Sequence, residues 1–493
     1  MIRKAANHFF VLLSTLLIVF FACESCWSEE SSDSASAKEK QPNFVVILVD
    51  DLGWNDLGCY GSTFYETPHL DRFAKQSVRF TNAYAAGSVC SPTRAALMCG
   101  AYPPRVQITD WIKGRGDKNR PLSTPKIRHE LPLEKLTIAE HVKKLGYATC
   151  FVGKWHLGST GYFPEDQGFD LNFGGHRLGS PPGGYYSPYK NPKLKNGPEG
   201  EYLPDRLTNE SIKFIEANKD KPFLLYLSFY TVHTPIQPCK RHLEKFQKKR
   251  ESLPPLEDSE AFQREHEGWS KVRQDNAKYA SMVYAMDENV GRLLKALKDH
   301  GVEDNTTVIF TSDNGGLCTL PRKGAPTSIA PLRAGKGWLY EGGIRVPLMI
   351  RTAGKTRAGK ACHQPVISMD VFHTVLAQAS NDVFEGDGID LTQFLEKPEK
   401  NMDRTLYWHY PHYHGSAWKP GSAIRKGKWK LLRFYESEKV ELYDLEADPG
   451  ETNDVSAKFP KQKARLLGQF ESWAKDVGAE MPSRKNSGTP KKR

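Results

Sequence analysis

The sequence predicts an α/β protein: a large, mostly parallel mixed sheet between helices, followed by a smaller C-terminal α+β subdomain of antiparallel strands and one helix. Three observations carry this expectation. Apolar, β-branched-rich runs alternate with helix-periodic segments as far as about Ser380, the pattern of a layered α/β fold. The two strongest runs, NFVVILVDD (43–51) and TVIFTSDNGG (307–316), are continuous rather than alternating, as in strands buried on both faces. Beyond Ser380 the pattern changes to short strand-like stretches, which places the antiparallel sheet at the C-terminal end.

In chain order, residues 1–28 read as a secretory signal: Arg3 and Lys4, an apolar run from Phe9 to Ala22, then small and polar residues. FFAC (20–23) resembles a lipoprotein box, so membrane attachment is expected only if Cys23 is lipidated; otherwise the chain should be secreted, periplasmic or at the cell surface. A Ser/Glu/Lys-rich linker, 29–41, leads to a main domain spanning 42–380. Weaker strand patterns fall at 147–156, 222–233 and 345–351, and helical patterns at 136–146, 205–219 and 276–301. In the last, Met282, Met286, Val290, Leu293, Leu294 and Leu297 share one face. Residues 174–202, rich in Gly, Pro and Tyr, and the charged 240–271 are expected to be surface insertions. The subdomain, 381–480, holds TLYWHYPHYHG, SAIRKGKWKLLRF and VELYDLEADPGE and a helix near 461–477, and a basic tail closes the chain at 481–493.

The formal charge is +11, partly from the tail and from Lys240 to Arg250. No nucleic-acid motif accompanies it, so nucleic acid is not an expected partner; an exported basic protein better suits anionic polysaccharide. Of nine cysteines, cleavage beyond Cys26 leaves Cys59, Cys90, Cys99, Cys150, Cys239, Cys318 and Cys362. An odd, scattered set on a long chain is no disulfide framework.

Functional groups of parallel sheets gather beyond the carboxyl ends of the strands. Asp50, Asp51, His156, His233, Asp313 and Asn314 all fall there. Three carboxylates and an amide suit a hard cation, Ca²⁺ or Mg²⁺, better than Zn²⁺. Around them stand Arg94, Lys154, His156, His233 and Lys336, which beside a divalent cation would be unbalanced unless an anion of sulfate or phosphate type filled the site. The GKWHLG and GKGWLYEGG settings of the two lysines suggest tightly held backbone. In CSPTRAALMC, Pro92 suits a first helical turn, which sets Cys90 at a helix N-terminus where an anion is favoured. A thiolate nucleophile and a half-cystine fit that position equally well.

CSPTR with AALMCG resembles the sulfatase signature, Cys-x-Pro-x-Arg followed by a short helix. The resemblance spans nearly the whole mature chain in the family's order: VDDLGW, CSPTR, GKWHLG, VHTP, SDNGG, GKGWLYEGGIRVP and LYDLEADPGE. It implies a formylglycine-dependent, arylsulfatase-like hydrolase of alkaline-phosphatase-like fold, acting on sulfate monoesters; export, the basic surface and YWHYPHYHG point to those of a sulfated carbohydrate. By the same resemblance Cys90 becomes formylglycine, whose hydrate is the nucleophile of a sulfo-enzyme pathway. The modification requires a formylglycine-generating or anaerobic sulfatase-maturating enzyme. Asp50, Asp51, Asp313, Asn314 and modified Cys90 would hold one Ca²⁺, with Mg²⁺ second. Arg94 would steady the hydrate, whose proton is drawn toward Asp313. Lys154 and Lys336 would bind sulfate oxygens, His156 would deprotonate the hydrate, and His233 with Lys336 would assist the leaving alcohol. His176 and Arg177, just past GFDLNFGG, are further candidates for sugar or sulfate contacts, and YWHYPHYHG offers stacking faces or ordinary core. The chain departs from the family at Thr93, where serine is commoner, and at CGA (99–101), where Thr-Gly-Arg is usual. A phosphatase or phosphonate hydrolase of the same fold, and a non-catalytic sulfated-glycan-binding protein, are the competing readings.

Overall fold

The structure is a computed structural model that describes residues 40–352, 356–380, 382, 384 and 386–485. The expected signal, Cys23, nearly all of the 29–41 linker and residues 486–493 of the tail lie outside the described residues. Eight strands, β1 (Asn43–Val49), β2 (Val78–Phe80), β3 (Ala148–Gly153), β4 (Leu171–Phe173), β5 (Phe223–Ser228), β6 (Thr306–Ser312), β7 (Leu348–Arg351) and β8 (Ala361–Cys362), form one sheet in the order β8-β2-β7-β6-β1-β5-β3-β4. Only β7 runs against its neighbours; every other pairing is parallel. Register aligns the strand ends: Val49 faces Ser312, and Ser228 faces both Leu48 and Gly153. The residues that follow, Asp50, Asp313 and Lys154, therefore emerge side by side.

Alternation of side chains along β1 explains its unbroken apolar run. Val45, Ile47 and Val49 pack on one face with α1 (Pro68–Gln76), α4 (Leu203–Asn218), α5 (Lys240–Glu251) and α6 (Ala277–Asp299). Phe44, Val46 and Leu48 pack on the other with α2 (Cys90–Cys99), α3 (Ile138–Lys144) and α7 (Met369–Ser380). On α6 the expected face is buried through Met282, Met286, Val290, Leu293 and Leu297, each worth about 1.5–3 kcal/mol of burial, while Leu294 sits at its margin.

A second, antiparallel sheet follows, β9 (Thr405–Tyr410), β10 (Gly421–Lys426), β11 (Trp429–Phe434) and β12 (Val440–Asp444) in sequence order, with α8 (Pro460–Asp476) packed against it. Its core is continuous with Val89 and Ala96 of the α2 region and with Trp338, Leu339, Tyr340 and Ile344. The C-terminal sheet is thus built onto the segments that carry Cys90 and Lys336.

Two expectations need correction. The 174–202 stretch is not a surface insertion, because Tyr185, Tyr189, Leu194 and Tyr202 are buried in the main core. The 240–271 stretch is partly structural too: Phe246 of α5 is fully buried against α6, and only its far end forms a small hairpin. Of the two readings open for TLYWHYPHYHG, Trp408, Tyr410 and Tyr413 follow the ordinary core one. The seven cysteines from Cys59 onward are unpaired, and no helix of the described residues is long and apolar enough to cross a membrane.

Candidate active site

Four strand ends build the floor. After β1, Asp50 and Asp51 are fully buried; after β6, Asp313 and Asn314 are too. Lys154 donates to Asp50 Oδ2 at 2.6 Å, and Lys336 reaches both Asp51 oxygens at 2.7 and 2.8 Å. Arg94, from α2, donates through Nε to Asp313 at 2.9 Å and lies 2.7 Å from the same oxygen through a terminal nitrogen. Its other terminal nitrogen donates to the Lys154 carbonyl and to Ser228 Oγ, both at 2.7 Å. Arg94 is thereby committed to Asp313 and the floor rather than to the Cys90 thiol. Asn314 donates to Asp51 Oδ1 at 2.8 Å, and Asp313 Oδ1 accepts from the Asp51 backbone N–H at 3.1 Å.

Backbone conformation aims these groups. Asp51 (φ 61°) and His156 (φ 57°) occupy the left-handed region, at a cost of about 1–2 kcal/mol each, where the chain leaves β1 and β3. Gly153 in GKWHLG has φ 105°, and a Cβ there would collide with the Ser228 carbonyl, so the backbone approach needs glycine.

Burial and neighbours set the charges. Burial raises the Asp50 carboxyl well above its usual range, with Lys154 opposing. Burial acts the same way on Asp51, but Lys336 and His233 overcome it and hold the carboxyl low. Asp313 is likewise held low, by Arg94 and Lys154 against burial. Burial and then Lys154 push His156 well below the ordinary imidazole range. His233 is pushed down to about 3 by burial and Lys336, against the pull of Asp51.

The donor set fits a hard cation. Asp50 Oδ1 and Asn314 Oδ1 are buried without a hydrogen-bond partner, which is costly for acceptors unless a cation completes them. Ligand atoms of Asp50, Asp51 and His233 lie within 4.8 Å of one another, which adds an imidazole the expected set did not include.

Cys90, the first residue of α2, opens onto a cavity of about 700 Å³ shared with His156, His233 and Lys336. Its Sγ lies 3.3 Å from His156 Nδ1. His156 Nε2 lies 2.5 Å from the Ile112 carbonyl, which can only accept, so the proton sits on Nε2 and the Nδ1 lone pair faces position 90. Ser91 Oγ donates to the His156 carbonyl at 3.0 Å and accepts from Ile112 N–H at 3.1 Å, closing this contact into a clamp.

The expected residues divide clearly. Cys90, His156, His233, Lys336 and Arg177 line the cavity; Asp50, Asp51, Arg94, Lys154, Asp313 and Asn314 form the floor beneath it. His176 does not line it: the ring is buried, Nδ1 accepts from Leu178 N–H at 2.9 Å, and its carbonyl accepts from His156 N–H. Sequence reasoning missed Trp111, Lys113, His129 and His414, which also line the cavity, and the Ile112 carbonyl. Only His414 had a local clue, as the one member of the His-rich run to reach the site.

Residues 42–381 match the Sulfatase family model, and 334–472 match that of the N-sulphoglucosamine sulphohydrolase C-terminal region. The chain is 31% identical to a sulfatase of Formosa agariphila, with 88% of each chain covered. It is 32% identical to human N-acetylgalactosamine-6-sulfatase over 76% of this chain and 69% of the relative. It superposes on the crystal structure of Ps i-CgsB in complex with k-i-k-neocarrahexaose with a TM-score of 0.71 and 29% identity, covering 89% of this chain and 94% of the other. The chain belongs to the sulfatase family and is a sulfuric ester hydrolase of alkaline-phosphatase-like fold.

Proposed function

We propose that this enzyme is exported and removes sulfate from a sulfated carbohydrate, with Cys90 converted to formylglycine and one Ca²⁺ held by Asp50, Asp51, Asp313, Asn314 and the residue at position 90. The observation that carries the reading is Cys90 itself: it begins a helix, opens onto the cavity, and faces the unprotonated nitrogen of His156 at 3.3 Å. The names of the relatives, an N-acetylgalactosamine-6-sulfatase and a complex with a neocarrahexaose, support a carbohydrate substrate. The apolar run between Arg3 and Cys23 supports export, and conversion of Cys90 calls for a formylglycine-generating or anaerobic sulfatase-maturating enzyme as partner.

Formylglycine would supply a hydrated aldehyde, which can accept a sulfuryl group on one hydroxyl and expel sulfate by returning to the carbonyl when the other loses its proton. A hard cation would supply positive charge to the sulfate oxygens. The chain's own residues do the rest. Lys154 and Lys336 direct their ammonium groups at the floor carboxylates and neutralise the oxygens of a sulfate seated above them. Arg94 fixes Asp313, so that its carboxylate stays ionised in the floor. Lys336, which Asp51 keeps protonated, carries the proton nearest the departing oxygen, with His233 beside it on the same wall. His156 Nδ1 accepts the proton from the second hydroxyl at position 90, its own N–H staying on the Ile112 carbonyl.

Mass spectrometry of the peptide containing Cys90, paired with sulfate release from aryl sulfate, aryl phosphate and defined sulfated sugars, tests the reading. Formylglycine at position 90 and release of sulfate in preference to phosphate are expected. Full activity with an intact thiol would overturn the nucleophile, and faster phosphate release would overturn the substrate class.

A further inference from the structure

Beside the reacting centre the cavity has a second wall. It is formed by Trp111, Ile112 and Lys113 from one segment and by Arg177 and Leu178 from another. The backbone of the first segment is held at several points. Asp110 is buried, and its carboxylate accepts from Trp111 N–H at 2.8 Å, Arg115 N–H at 3.1 Å and the Tyr410 hydroxyl at 2.8 Å. Ile112 N–H is held by Ser91, and the Ile112 carbonyl by His156. Trp111 packs in part against the C-terminal core and Ile112 against the core of the main sheet, which leaves the polar ends of Trp111 and Lys113 uncommitted. Among the described residues neither the Trp111 indole N–H nor the Lys113 ammonium has a hydrogen-bond acceptor or an ion pair, and the same is true of the Arg177 guanidinium.

Lys113 and Arg177 are exposed at the rim, and both border one concavity that Glu130 alone lines with a carboxylate. The cations of the floor already have partners: Lys154 is paired with Asp50, Lys336 with Asp51 and Arg94 with Asp313. The two cations on the wall are therefore in excess of what the floor needs. A half-buried tryptophan beside them offers a flat apolar face of the kind that sugar rings cover.

We infer that Trp111, Lys113 and Arg177 form a subsite for a second anionic group, carried on the sugar bearing the reacting sulfate or on its neighbour, so that the preferred substrate is a multiply charged oligosaccharide. The inference rests on the carbohydrate reading above and deepens it. Trp111 covers the sugar face, while Lys113 and Arg177 bind a sulfate or a carboxylate, the shared chemistry being an anionic oxygen cluster.

Three ligands separate the sources: N-acetylgalactosamine 6-sulfate, its 4,6-disulfate, and the disaccharide joining a hexuronate to the 6-sulfated sugar. Binding of each is measured by calorimetry on the Cys90→Ala chain, and kcat/KM by sulfate release from the matured enzyme. The charged wall should favour at least one dianionic ligand over the monosulfate. Lys113→Ala and Arg177→Ala should each lower that preference about two- to fivefold, the scale of an exposed ion pair, and Lys113→Arg should retain it. A preference for the disulfate identifies a second sulfate, and one for the disaccharide a carboxylate. Equal affinities for all three ligands, or equal losses on all three in the variants, would overturn the subsite, as would turnover of 4-nitrophenyl sulfate with no binding of any sugar. Failure of the matured enzyme to release sulfate from any substrate, 4-nitrophenyl sulfate included, would instead sink the proposed function.

Discussion

Arg94 holds Asp313 through two nitrogens at 2.9 and 2.7 Å, in a place where neither side chain meets water. Removing one partner of such a buried pair strands the other. Arg94→Ala is expected to cost about 3–5 kcal/mol of stability, read as a shift in denaturant midpoint at unchanged slope, together with near-complete loss of activity. Asp110 makes a different prediction, because it touches no reacting group. Asp110→Asn exchanges one acceptor oxygen for an amide donor where two backbone N–H groups and the Tyr410 hydroxyl must be met. The Ile112 carbonyl should then drift from His156, lowering kcat on 4-nitrophenyl sulfate by about tenfold while KM changes little. A lost acceptor that affected only packing would lower the melting temperature and leave kcat intact. At this scale the sequence was legible wherever chemistry sits in a block ending a buried strand. Asp50, Asp51, Lys154, His156, Asp313 and Asn314 follow apolar runs whose length and composition mark the strand end. Asp110, the Ile112 carbonyl and Lys113 lie in a loop without periodicity. Their place depends on contacts with Ser91, His156 and Tyr410, which no local pattern encodes.

Among the elements, the 335–345 loop is tied to the C-terminal subdomain at several points. The loop's Trp338 indole donates to the Ser416 carbonyl, and Glu341 is buried in a charge cluster with Lys430 of β11 and Glu451. Lys430 lies 3.0 Å from Glu341 and 2.8 Å from Glu451, and Glu451 also accepts from the Glu341 N–H at 2.6 Å. The C-terminal sheet thus anchors the segment that presents Lys336. The strand and helix patterns of this subdomain were readable from sequence, but its role as an anchor was not, since Glu451 and Glu341 are 110 residues apart. Burial pushes the Glu451 carboxyl from 4.5 up to about 7, Lys430 opposing and Glu341 adding to the rise. The native state therefore binds this proton more tightly than the unfolded chain does. The resulting stability is fully present below about pH 4.5 and is lost as the pH climbs through about 7. The stability difference between the wild type and Glu451→Gln should fall across that window by up to about 3 kcal/mol, measured by denaturation at several pH values. A flat difference would mean that Glu451 is ionised throughout.

Across the whole molecule, the eight-stranded sheet converges its charges at one end, and their sum decides what else binds there. With all three carboxylates ionised, Asp50, Asp51 and Asp313 are matched by Arg94, Lys154 and Lys336, and the floor is close to neutral. A divalent cation completing the free oxygens of Asp50 and Asn314 would leave two positive charges in excess, in a place where burial makes net charge expensive. A sulfate anion alone would leave the opposite excess. Each ligand relieves the cost of the other, so their binding free energies must be coupled, and the coupling must be the same whichever binds first. Thermal shift of the Cys90→Ala chain, which cannot turn over, measures this with Ca²⁺, inorganic sulfate, both and neither. Together they should raise the melting temperature by more than the sum of their separate effects, and the apparent affinity for sulfate should strengthen by about tenfold or more when Ca²⁺ is present. Mg²⁺ should give a smaller coupling, because it demands a tighter, near-octahedral shell than carboxylates fixed by strand ends can supply. Strictly additive shifts would show that the ion and the anion do not share this floor.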